Sequence, residues 1–190
     1  MNDAPIDHSF WIANRALGIV AMALISISVA YGLSLSSKLA KRGPGSLGRT
    51  KQVHEALSLV GLVAILAHGL VLLGDDYIAP TLSQIAIPFT IPDQPVWTGI
   101  GVIGGYLAIV CGLSYYARNL IGQNRWKVVH RFTLAAWVMG FAHAIGSGSD
   151  AGSAWFLALM GALLVPVIFA LVYRLLPGEA RPPAPAAPNP

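Results

Sequence analysis

Four of the five histidines in this 190-residue chain fall at two nearly equal intervals. His54 and His68 stand fourteen residues apart in KQVHEALSLVGLVAILAHGL, and His130 and His143 thirteen apart in RWKVVHRFTLAAWVMGFAHA. Both stretches are apolar, and an ionisable residue placed in hydrocarbon is functional by default. Spacing selects the chemistry. A single metal ion held from one helix takes histidines about four apart, whereas fourteen residues of helix span about 21 Å, which no single ion bridges. Two flat, apolar iron macrocycles suit the interval, each clamped between facing helices by one histidine from either side. The residues thus point to two haems. Each neutral imidazole would give one nitrogen to iron and needs an acceptor for its other N–H. His8, in the leading tail, is assigned no role.

The elements that must position these histidines are membrane helices. The chain is 55% hydrophobic and 11% charged, with a positive mean hydropathy, outside the range of soluble domains. Five apolar stretches, near 11–35, 53–73, 97–117, 128–145 and 154–174, are each long enough to cross about 30 Å of hydrocarbon. The expected fold is all-α, a bundle of five transmembrane helices spanning 11–176. A tail of residues 1–10 precedes it, and a proline-rich segment, 177–190, follows. The head MNDAPIDHSF is acidic, so the first stretch does not read as a signal peptide.

Charge sets the orientation. Lys38, Lys41, Arg42, Arg49 and Lys51 lie in one connection and Arg118, Arg125, Lys127 and Arg131 in another, neither with an acid. Asp3, Asp7, Asp75, Asp76, Asp93 and Asp150 lie in the alternate segments, where Arg15 is the only basic residue. The positive-inside rule then puts the amino terminus outside and the carboxyl terminus in the cytoplasm. This asymmetry accounts for the net charge of +4, so nucleic acid is not implied as a partner. Both histidine helices run from inside to outside, pairing His54 with His130 at the inner depth and His68 with His143 at the outer.

Helical phase adds one expectation. At about 100° per residue, fourteen positions return to within about 40° of the starting face, but thirteen miss it by about 140°. Either the helix bearing His130 and His143 is locally tightened or distorted, with Gly140 a candidate place, or the two histidines approach their haems from different sides; an irregularity is expected there. Other signals are weaker. Cys111, the only cysteine, excludes an intramolecular disulfide and reads as a buried thiol; without CxxCH, haem would be held non-covalently. Residues 74–96 form the long connection, with a brief interfacial helix expected within 81–89. Gly101 and Gly105 form a GxxxG, open to internal packing or to dimerisation. Trp97 and Trp126 read as interface anchors, and Pro166 as a kink in the fifth helix.

VHEALSLVGLVAILAHGL and RWKVVHRFTLAAWVMGFAHA, with their unequal spacings, resemble the ferric reductase-like transmembrane domain family. That family includes the membrane halves of ferric reductases and NADPH oxidases, and the haem subunit of periplasmic methionine sulfoxide reductase. FWIANRALGIVAMALISISVAYGLSLS resembles its opening arginine-containing span. The resemblance implies two stacked haem b groups, with His54 and His130 as iron ligands of the inner one and His68 and His143 of the outer. It places Arg15 beside the outer haem, to pair with a propionate or an anionic acceptor; an arginine snorkelling to the interface fits equally. Arg131, with Lys51, Arg125 and Lys127, is a candidate for the inner propionates or simply part of a basic loop. Two departures stand out: no GxGxxG or α/β segment carries a flavin or nicotinamide module, and Leu72 occupies the place of an additional histidine found in some oxidases.

The function expected is transmembrane electron transfer in a bacterial cytoplasmic membrane. A separate flavoprotein or quinol would donate, and an extracytoplasmic acceptor would receive. The alternative is a subunit anchoring a larger membrane complex, haem-free or using haem only for assembly. A metal-ion transporter ranks behind both, because Glu55 is the only acid expected within the helices.

Overall fold

The computed structural model describes residues 8–36 and 46–176. The expectations for residues 1–7, for Lys38, Lys41 and Arg42, and for the proline-rich segment from 177 onward lie outside these.

Every regular element among the described residues is helical: α1 (Ser9–Ser36), α2 (Ser46–Val71) closing in a 3-10 turn (Leu72–Gly74), α3 (Leu82–Ala86), α4 (Pro95–Leu113), α5 (Arg118–Ile121), α6 (Gln123–Arg131), α7 (Thr133–Ser147) and α8 (Ala154–Leu175). Five segments are long and apolar enough to cross a membrane: Ser9–Ser36, Gly48–Gly74, Pro95–Leu113, Gln123–Ser147 and Ala154–Leu175. The protein is an integral, multi-pass membrane protein. Large apolar side chains such as Val63 and Leu66 of α2, 66% and 56% exposed, face outward as lipid requires.

Local chemistry sets the element ends. Pro95 opens α4 at its first turn, where a missing N–H costs nothing. The helix stops at Leu113, short of the expected residue 117. The Ser114 hydroxyl donates to the Cys111 carbonyl at 2.6 Å and Arg118 donates to the Tyr115 carbonyl at 2.8 Å, so the chain turns instead of continuing. Gly122, at φ 88°, makes the bend into α6 that a side chain would resist. The expected short helix in the long connection is α3, capped by a reciprocal Thr81–Gln84 pair.

The expected irregularity is present, but at Phe132 and not at Gly140. There the chain leaves the α pattern between α6 and α7, with the Phe132 N–H reaching back three residues to the Val129 carbonyl at 3.0 Å. Thr133 Oγ1 donates to the His130 carbonyl at 2.7 Å, taking an acceptor that the helical ladder would have used. The tighter step turns α7 further relative to α6, in the sense that the thirteen-residue spacing demands.

α1 packs along α2 and also against α8 and α7; α4 packs along α7 and touches α2. The core lies among α1, α7 and α8, around Met22, Leu33, Trp137, Phe156, Met160 and Val167. Within it the Trp137 indole donates to Ser26 Oγ at 2.8 Å. α2 and the α6–α7 helix share at most marginal direct packing, and their closest relation is through histidines.

Candidate functional site

The four histidines form two facing pairs. The rings of His54 and His130 lie 6.1 Å apart, centre to centre, with their planes at 86°. Those of His68 and His143 also lie 6.1 Å apart, at 71°. The first pair sits at the end of the bundle carrying the basic segment 118–131, the second at the end carrying Asp75 and Asp150. These are the basic and acidic ends below.

Three of the four rings are positioned by a further helix. His68 Nδ1 donates to the Asn14 carbonyl at 2.8 Å, and His54 Nδ1 to the Ser28 carbonyl at 2.8 Å, both on α1. His143 Nδ1 donates to the Trp97 carbonyl of α4 at 2.9 Å, with Ser147 Oγ 3.1 Å away. A carbonyl can only accept, so these three rings carry their proton on Nδ1 and leave the Nε2 lone pair for the gap. The side chains of α1 reinforce the hold. Asn14 Nδ2 donates to the His68 carbonyl at 2.8 Å, while Ser28 Oγ donates to the His54 carbonyl at 3.2 Å and lies 2.6 Å from Ser58 Oγ.

His130 differs. Its Nδ1 is buried without a well-formed hydrogen bond, with the Cys111 backbone beside it. The Trp126 ring lies 5.2 Å from it at 31°, and the buried Trp126 Nε1 also lacks a partner. Tyr115 stacks edge-on against Trp126 at 5.9 Å, with Arg118 4.0 Å and Lys51 5.7 Å from its ring centre. The basic end thus joins aromatic faces to two cations.

Glycines make room for three of the rings. A Cβ on Gly18 would stand 3.0 Å from His68, one on Gly32 3.0 Å from His54, and one on Gly101 2.6 Å from His143. Of the GxxxG pair, Gly101 therefore faces a histidine and Gly105 faces Ile65 of α2, so both serve internal packing.

No group of three or more His, Cys, Asp or Glu among the described residues gathers as a metal site. Each pair offers two facing imidazole nitrogens, so the remaining ligands of any ion between them would have to come from a planar macrocycle. The dimensions fit: two metal–imidazole bonds of about 2 Å and two ring radii of about 1 Å put the centroids about 6 Å apart across one ion. The apolar cavity of about 220 Å³ between α1 and α8, beside Ser26 and Pro166, lies away from the histidines.

Arg15 forms an ion pair with Asp150, in the connection between α7 and α8, and lies over the Trp11 ring at 4.3 Å. Asp150 was not singled out as its partner from the sequence. Arg131 ends α6 next to His130 and is exposed. Cys111 is fully buried, its thiol donating to the Val129 carbonyl at 3.3 Å. The residues that sequence reasoning missed are Asn14, Ser28, Gly18 and Gly32, together with the roles of Trp97, Cys111 and Trp126 beside histidines. One signal was available: Asn14 and Ser28, like Gly18 and Gly32, repeat the fourteen-residue interval of His54 and His68. No protein-family profile, curated protein or solved structure matches the chain.

Proposed function

We propose that the protein is a membrane cytochrome of the ferric reductase-like kind, carrying electrons across the bilayer through two haem b groups. The observation that carries this reading is the pair of imidazole couples, each with ring centres 6.1 Å apart, between helices that hardly pack on one another. His54 and His130 would hold one iron, His68 and His143 the other. When bound, each haem would supply a one-electron iron centre suited to outer-sphere transfer.

The chain's own residues do the rest. Carbonyls of Asn14, Ser28 and Trp97 fix the tautomer and strengthen the nitrogen facing the gap. The apolar walls of α2 and α7 exclude water and keep the centres in a low dielectric. Lys51, Arg118 and Arg131 supply positive charge at the basic end, where propionates would be neutralised. At the acidic end Arg15 is already paired with Asp150, so its first task is to tie α1 to the connection before α8. The charge asymmetry directs the basic end to the cytoplasm. Electrons then enter near His54 and His130 from a flavoprotein or quinol and leave near His68 and His143 to an extracytoplasmic acceptor.

The test is a dithionite-reduced minus oxidised spectrum of the purified chain, with haem counted against protein. Two b-type haems per chain are expected. None at all would overturn the reading in favour of an anchoring subunit.

A further inference from the structure

The hydrogen bonds of the four histidines differ for a reason of register. On α1 the acceptors Asn14 and Ser28 are fourteen residues apart, matching the fourteen between His54 and His68. On α4 the corresponding carbonyls, Trp97 and Cys111, are again fourteen apart, but His130 and His143 are separated by thirteen. With His143 fixed on Trp97, the helix meets Cys111 out of step. The tight turn at Phe132 does not restore the match, and His130 Nδ1 is left buried and unbonded.

Resting on the two-haem reading, we infer that His130 is the exchangeable axial ligand, and that the basic-end site admits a small neutral ligand in its place. An imidazole N–H bonded to an acceptor holds its ring in one orientation and makes the other nitrogen a stronger donor; loss of such a partner typically weakens metal binding 10–100-fold. The other three rings have that partner. Release would free the His130 ring to turn its N–H to the Cys111 carbonyl, beside the Trp126 face 5.2 Å away. With haem bound, the exchange would break one imidazole–iron bond and form one bond from iron to the incoming ligand. No electron or proton moves.

The probe is carbon monoxide, titrated into the dithionite-reduced full chain with haem counted in the same sample. One carbon monoxide per two haems is expected, and one per haem in His68→Ala, which keeps only the basic-end site. Trp126→Phe should shift the C–O stretching band of the wild-type adduct, whereas Val165→Ala, on the outward face of α8, should leave it in place. Absence of binding to a two-haem protein, equal binding at both levels, or a band indifferent to Trp126→Phe would overturn the inference and leave the two-haem reading intact. A preparation without haem would overturn both.

Discussion

Asn14 and His68 are joined at two points. The imidazole N–H donates to the Asn14 carbonyl, and the Asn14 amide donates to the His68 carbonyl, each at 2.8 Å. Backbone and side chain of one residue thus grip side chain and backbone of another. Asn14→Leu keeps the first bond and removes the second, costing about 1 kcal/mol. On the two-haem proposal, haem should be retained about five-fold less tightly at the acidic end only, read as the rate of haem loss at each level.

Gly101 lies against His143 with no room for a methyl group, since a Cβ there would come within 2.6 Å of the ring. Gly101→Ala pushes the ring from the Trp97 carbonyl or forces α4 and α7 apart, at about 1–3 kcal/mol. Haem content should fall toward one per chain. Gly18→Ala, where the approach is 3.0 Å, should cost less.

Asp150 is 23% exposed and neutralises Arg15. Asp150→Asn keeps the shape and removes the charge, leaving Arg15 to its stack on Trp11. A loss of about 1 kcal/mol is expected in thermal unfolding in detergent, shrinking as salt rises because the pair is partly screened.

Trp137 and Ser26 tie α7 to α1 inside the core, and neither hydrogen-bonds to a histidine. Trp137→Phe strands a buried hydroxyl and should destabilise the bundle by about 1–3 kcal/mol. Haem spectra should remain unchanged, which separates damage to the scaffold from damage to the site.

The spans were legible because lipid imposes a length and a composition that few other structures satisfy. Their ends were less so. Tyr115 and Tyr116 look like membrane residues, and only the Ser114 and Arg118 bonds to the backbone reveal the turn. The thirteen-residue interval showed that a rotation was missing but not where it would be made up. Gly140 was the obvious weak point, yet Thr133 captured the carbonyl of His130 and moved the break to Phe132. The histidines themselves were found from spacing alone. Their acceptors are backbone atoms, which leave no mark in residue type, and the Arg15–Asp150 pair joins positions 135 residues apart. Trp126 was read as an interface anchor because sequence shows its depth but not its neighbour.

The matched intervals have an architectural consequence. α1 with α2, and α4 with α6–α7, are each an antiparallel hairpin whose first arm offers carbonyls and whose second arm offers imidazoles. The two hairpins make up four of the five spans, with α8 packed against α1. The single residue by which the second hairpin falls short breaks the likeness between them, and leaves the two histidine pairs in different surroundings.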